Sequence, residues 1–258
     1  LNPDFRFIGE NIGDPVAKGW RVPEFVKEIM RRLIRAPGDR SFGYTHSRGC
    51  IETRQWVAEL SRRLAPASRL DAEHVLFTNG LGGAISVFYR MLKQGARILQ
   101  PLPGYPAHIS TERFASGGAL LGYRADPERQ WAPDLEHLEN QVRRHPEVAG
   151  ILLINPNNPT GAVYDAATLE AIVRIAERYR LLLLSDEVYF RMVFEPCRYT
   201  HLTQLVARRV PLVVMRGVSK DVPWPGARCG WMEFHNTDLD RDYARFFESV
   251  KRPLMLEV

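Results

Sequence analysis

Long apolar runs are absent from this 258-residue chain, and none approaches the roughly 20 residues that a membrane-spanning helix needs. Cysteine is scarce: Cys50, Cys197 and Cys229 are the whole set. They are too few and too scattered for a disulfide framework, and no CxxC pair offers a metal site, so free thiols in a reducing cytoplasm are expected. There is no internal repeat and no low-complexity stretch. No GxGxxG follows a first strand, which removes a dinucleotide-binding enzyme. The N-terminus has no charged segment leading into an apolar one, so no signal peptide is read, and a chain that opens on Leu1 is expected to lack its true start.

What is present is an ordinary globular composition. Apolar residues at 45% and charged residues at 25% suffice for one large domain or two small ones. The net charge of +5, from 35 Lys and Arg against 30 Asp and Glu, would draw a polyanion if the basic residues were clustered. They are not. The pairs Arg31-Arg32, Arg62-Arg63, Arg143-Arg144 and Arg208-Arg209 are dispersed and interleaved with acids, as on solvated helix faces. No nucleic-acid or membrane partner is therefore expected.

Short apolar runs alternate with amphipathic stretches. Residues 75–77, 97–99, 150–154, 181–184 and 212–215 read as strands, several of them apolar throughout, as in a parallel sheet covered on both faces. Leu169, Ile172, Val173, Ala176 and Tyr179 follow helical spacing, with Asp165 placed to cap the helix. Further helices are expected near 51–65, 82–93, 133–144 and 238–252. The alternation predicts an open, mostly parallel α/β sheet with helices on both faces. Polar and turn-forming residues follow every one of these strands: Thr78-Asn79-Gly80, Pro101 to Pro106, Asn155 to Gly161, Ser185 to Tyr189, and Arg216 to Lys220. Open α/β sheets bind ligands at such ends, so five in succession define a candidate site.

Three of these segments carry a family likeness. Asn155 to Tyr164 (NPNNPTGAVY), Ser185 to Tyr189 (SDEVY), and Ser219-Lys220 with Arg228 eight positions later resemble the signatures of fold-type-I, pyridoxal-phosphate-dependent class I/II aminotransferases. The resemblance runs from about Asn11 to the chain end. Within the family it is nearest to bacterial alanine-type enzymes, on NPNNPTGAVY and Cys229-Gly230-Trp231-Met232.

The resemblance implies a role for each residue. Lys220 would hold pyridoxal 5'-phosphate as a Schiff base and then shuttle a proton, which requires an amine that can be deprotonated. Asp186 would face the pyridine nitrogen and keep it protonated. Tyr189 and Asn158 would hydrogen-bond the cofactor's phenolic oxygen, and Tyr105 would stack on its ring. Leu81 and Gly82, in the glycine-rich turn 80–83, and Arg228 would hold the phosphate. Tyr44 would reach the phosphate of a neighbouring subunit, making the enzyme a homodimer. Gly13, with Asn158, would lie on the substrate side. Read alone, Lys220 would be a solvated lysine, Asp186 a cap, Tyr105 a packed aromatic and Asn-Pro-Thr-Gly a turn; together they favour the site.

Residues 1–36 are expected to belong to a smaller substrate-side domain and 37–258 to the cofactor-binding large domain. The family continues beyond Val258 and supplies there the arginine that grips the substrate carboxylate, so the chain is expected to be a fragment and poorly active alone. The implied reaction is cytoplasmic transamination between an amino acid and a 2-oxo acid. Alternatives on the same fold are a carbon–sulfur lyase, an aminocyclopropane-carboxylate synthase (Ser219-Lys220-Asp221 and Pro225 to Arg228 fit this too) or a non-catalytic, cofactor-binding regulatory domain. Many relatives carry a hydroxyl residue where Gly82 and Gly217 stand, which implies a weaker phosphate grip here.

Overall fold

The computed structural model describes residues 13–14, 16–38 and 42–254. Asn11, Ile12 and Pro15 of the substrate-side turn, and Val258, lie outside them. In chain order the strands are β1 (Val75–Asn79), β2 (Arg97–Leu102), β3 (Gly122–Asp126), β4 (Ala132–Pro133), β5 (Val148–Ile154), β6 (Leu182–Asp186), β7 (Leu212–Gly217) and β8 (Cys229–His235). The helices are α1 (Glu24–Arg35), α2 (Ile51–Leu64), α3 (Gly80–Arg90), α4 (Pro106–Ser116), α5 (Leu135–Arg144), α6 (Ala166–Tyr179), α7 (Leu202–Val206), α8 (Val218–Asp221) and α9 (Arg241–Leu254). None of these helices is long and apolar enough to cross a membrane.

One sheet joins the strands in the order β1-β8-β7-β6-β5-β2-β3-β4. Strands β7, β6, β5, β2 and β3 run parallel, while β8 opposes both β7 and β1, and β4 opposes β3. The mostly parallel α/β sheet expected from the sequence is therefore the fold. Alternate residues of each strand feed opposite cores. Ile151, Leu153, Leu183, Leu212 and Val214 pack with α5, α6 and α7, whereas Leu152, Ile154, Leu184, Val213 and Met215 pack with α3 and α9. With both faces buried, the strands need no polar alternation, and each such side chain contributes about 1.5–3 kcal/mol of burial.

Helix ends follow local chemistry. Asp165 caps α6 by accepting from the Thr168 N–H at 2.7 Å, and Asp134 caps α5 through His137 N–H at 2.9 Å. Helix α4 opens on Pro106 and stops at Gly117, whose φ of +67° suits glycine.

The sheet also departs from the sequence reading. Ser185 and Asp186 lie inside β6 rather than after it, because the backbone ladder continues: Ser185 pairs with Leu153 and Val214, and Asp186 with Ile154 and Met215. The glycine-rich residues 80–83 form the first turn of α3 instead of preceding it. Strand β8 and helix α4 were not legible because charged and polar residues occupy buried positions in both. Glu233 and His235 are buried on β8, and His108 and Glu112 on α4. The dispersed basic pairs behave as expected where they are paired: Arg31 and Arg32 with Glu24 and Glu28, and Arg209 with Glu170 and Glu177.

The buried Arg97–Glu112 pair ties α4 to β2, with Nε–Oε1 at 2.6 Å and Nη2–Oε2 at 3.0 Å. Glu112→Ala is expected to lower unfolding free energy by about 3–5 kcal/mol in urea titrations, because it strands a buried guanidinium. Removing the exposed Glu248, which pairs with Lys251, should cost about 1 kcal/mol or less.

Candidate active site

A cleft of about 620 Å³ opens at the carboxyl ends of the parallel strands, lined by residues from several separate strand ends. Leu81 and Gly82 come from α3 after β1, and Tyr105 from the N-cap of α4 after β2. Asn158 follows β5, Asp186 ends β6 with Tyr189 in the next turn, and Ser219 and Lys220 follow β7. Arg228 precedes β8, and Gly13 lines the same cleft. Every expected site residue except Tyr44 thus lines one cleft. Tyr44 is 93% exposed and does not line it.

The turn after β5 is built by its own side chains. Asn157 is buried; its Oδ1 accepts from Thr160 Oγ1 at 2.8 Å, and its Nδ2 donates to Tyr164 OH at 3.2 Å. Asn155 Oδ1 accepts from Tyr164 N–H at 2.9 Å, and Gly161 supplies the φ of +75° the loop needs. These bonds spend Asn155 and Asn157 on structure and leave Asn158 to face the cleft.

Asp186 is 3% exposed, and its two oxygens are held separately. Oδ1 accepts from Val188 N–H at 3.1 Å, while Oδ2 lies 3.1 Å from His108 Nε2. Behind it, Tyr89 OH lies 3.2 Å from His108 Nδ1, and Gln100 Nε2 donates to Tyr89 OH at 3.1 Å. Burial holds the Tyr89 phenol far above its ordinary pKa, so it keeps its proton. Gln100, Tyr89 and His108 thus form one hydrogen-bonded chain that ends on the carboxylate. This relay was missed in the sequence. The available signal was spacing alone: His108 lies three residues after Tyr105, on the same side of the first turn of α4.

Lys220 Nζ donates to the Gly13 carbonyl at 2.6 Å and lies 5.9 Å from the centre of the Tyr189 ring. A Cβ at Gly13 would sit 3.2 Å from that amine. Burial, then the negative charge of Asp186, raise the pKa of the Tyr189 phenol, which keeps it a hydrogen-bond donor at neutral pH. Arg228 makes no salt bridge among the described residues; its guanidinium only reaches the Pro225 carbonyl at 3.4 Å. Its backbone carbonyl accepts from Gly80 N–H at 2.8 Å, which brings the guanidinium against the start of α3. No side chain caps α3, so the N–H groups of its first turn beyond Gly80 stay available to an anion.

The glycines there are not equivalent. Gly80 has φ of +67°, and a Cβ on it would lie 2.6 Å from Arg228 Nη2. At Gly217 a Cβ would meet the Cys229 carbonyl at 3.0 Å, whereas Gly82 has nothing within 4 Å. An added hydroxyl therefore fits at Gly82 and crowds at Gly217. Gly80→Ala is expected to cost about 1–2 kcal/mol from left-handed strain, with displacement of Arg228 in addition. Gly82→Ala should be neutral or stabilising by up to about 1 kcal/mol. Thermal melts of both variants check the contrast.

Comparison with known proteins gives the family. The family described as aminotransferase class I and II matches residues 11–256. An uncharacterized aminotransferase of Methanocaldococcus jannaschii is 40% identical over 249 residues, covering 96% of this chain and 57% of that protein. The alanine aminotransferase of Mycobacterium bovis is 31% identical over 228 residues, covering 88% of this chain and 51% of its own length. Among solved structures, the alanine aminotransferase from Pyrococcus furiosus superposes with a TM-score of 0.84 at 31% identity, over 96% of this chain and 60% of that one. This chain thus spans somewhat over half the length of the relatives it matches. It belongs to the class I and II aminotransferases, a pyridoxal-phosphate-dependent family.

Proposed function

We propose that the protein transfers an amino group between an amino acid and a 2-oxo acid, with pyridoxal phosphate held at Lys220. The observation that carries this reading is the convergence of Lys220, Asp186, Tyr189, Asn158 and Arg228, from separate strand ends, on one cleft. The residues present fit the cofactor. Gly80 leaves room for Arg228 where a side chain would collide, and among the described residues Arg228 has no acidic partner to neutralise it. Asp186 keeps lone pairs free after its two hydrogen bonds.

Bound pyridoxal phosphate supplies an aldehyde that condenses with amines and a pyridine ring that accepts electrons. The chain's residues do the rest. Lys220 would hold the cofactor through its amine and would then be placed to move a proton. Asp186, beside His108, would hold a proton on the ring nitrogen. Tyr189 and Asn158 would donate to the ring oxygen, and Tyr105 would cover the ring. Arg228, the Ser219 hydroxyl and the Leu81 and Gly82 N–H groups would take the phosphate.

Gly13 and Asn158 bound the substrate side. In α1 only Val26 is buried, while Phe25, Ile29, Leu33 and Ile34 are exposed, which supports assigning residues 1–36 to a separate substrate-side unit. Phe42, Tyr44, Ile51 and Trp56 are also exposed, which supports a homodimer in which Tyr44 serves the neighbouring cleft. The reading is a cytoplasmic enzyme with alanine as the first amino donor to try, after the names of its relatives.

Adding pyridoxal phosphate to the purified chain should produce a visible absorption band that Lys220→Ala abolishes. With L-alanine, the 2-oxo product should accumulate in turnover only when a second 2-oxo acid is present as acceptor. A band that persists in Lys220→Ala, or 2-oxo acid and ammonia formed without an acceptor, would contradict the proposal.

A further inference from the structure

The hydrogen-bonded chain behind Asp186 has a far end that the proposed reaction does not touch. Tyr89 is 1% exposed, and Gln100 and His108 are fully buried, so bulk water cannot take or supply their protons. Each N–H and O–H has to find its acceptor inside the protein.

Gln100 lies on β2. Its Nε2 is 2.8 Å from the Ile98 carbonyl and 3.1 Å from Tyr89 OH. A carbonyl only accepts, so the amide faces it with nitrogen; the opposite orientation would press two oxygens together. An amide nitrogen only donates, which makes the Tyr89 oxygen an acceptor from Gln100. This orientation is held although it leaves Gln100 Oε1 buried without a hydrogen bond.

Tyr89, on α3, has its own proton to place, because burial keeps the phenol un-ionised. Apart from Gln100, the hydroxyl's hydrogen-bond partner among the described residues is His108 Nδ1, at 3.2 Å. To receive that proton, Nδ1 has to be bare. The ring then carries its hydrogen on Nε2, which lies 3.1 Å from Asp186 Oδ2. A ring protonated on both nitrogens would gain attraction to Asp186, but it would bury a cation and leave the Tyr89 O–H without an acceptor. Glu112, the other buried acid of α4, is already matched by both arms of Arg97 and calls for no second cation.

We propose that Gln100 is a positioning residue for Asp186: acting through Tyr89, it fixes His108 as a neutral donor with its hydrogen on Nε2. What this does for the reaction rests on the function proposed above; the placement of the protons does not. A neutral donor steadies the carboxylate without neutralising it, so the negative charge of Asp186 is left to hold a proton on the ring nitrogen. A cation at His108 would compete for that charge.

Heteronuclear NMR of the chain labelled in its histidine nitrogens tests this at neutral pH and without cofactor, with His108 assigned by the loss of its signals in His108→Asn. The wild type should show His108 with Nδ1 unprotonated and hydrogen on Nε2. Gln100→Glu replaces the donor at position 100 with an acceptor. The Tyr89 hydroxyl should turn to it, and His108 should gain a second proton, on Nδ1. In the double variant Gln100→Glu with Tyr89→Phe, that second proton should be lost again, because no hydroxyl remains to pass the reversal on. Tyr89→Phe alone should shift the Nδ1 signal to that of a nitrogen without a hydrogen bond, a reading that stands even if the glutamate variant fails to fold. A protonated Nδ1 in the wild type, an Nδ1 signal unchanged in Tyr89→Phe, or a second proton that survives in the double variant would overturn the proposal. A wild-type chain that gives the expected signals and takes up no pyridoxal phosphate would instead count against the proposed function alone.

Discussion

The site depends on a shared register: β5 and β6 end side by side, with Ile154 paired to Asp186, and Asp186 pairs in turn with Met215 near the end of β7. Parallel strands that finish together release their next residues into one space, and the loops that follow cannot avoid meeting. Asn158, Tyr189 and Lys220 reach the cleft from three such exits. A slip of one residue in β6 would turn Asp186 to the opposite face and bring Glu187 into its place.

That alternation gives two consecutive acids different tasks. Asp186 points to the α3 and α4 side, where a hydrogen-bonded chain ending in His108 holds it. Glu187 points to the other face, toward Arg216 and His201. Burial pushes the Glu187 carboxyl up, but the opposing charges outweigh it and pull its pKa down to about 2. Being fully compensated, Glu187 is structural; Asp186, beside a histidine and with no arginine on it, keeps bonding capacity for a ligand. Arg216 then joins both halves of the scheme, since it anchors the Tyr189 turn from the strand that leads into Lys220.

Much of this was legible in the sequence because the cores are plain. Residues 150–154 and 212–215 are apolar on both faces and read as covered strands, and the turns after them carried the family's motifs. Two of the elements that stayed hidden share one property: polar and charged residues at buried positions interrupt the apolar periodicity. Helix α4 buries His108 and Glu112, and β8 buries Glu233 and His235, each matched to a partner distant in sequence. The Gln100–Tyr89–His108 relay is invisible for the same reason. Its members come from β2, α3 and α4, and only the packed sheet makes them neighbours. Tyr44 marks the opposite limit, a residue whose assigned role needs a second subunit to be seen.

The most direct test of the central claim is to reduce the chain with borohydride after incubation with pyridoxal phosphate and map the modified peptides. Attachment at Lys220, with Lys93 and Lys251 unmodified, is the result the register predicts. Modification spread over exposed lysines, or concentrated on any lysine other than Lys220, would contradict it.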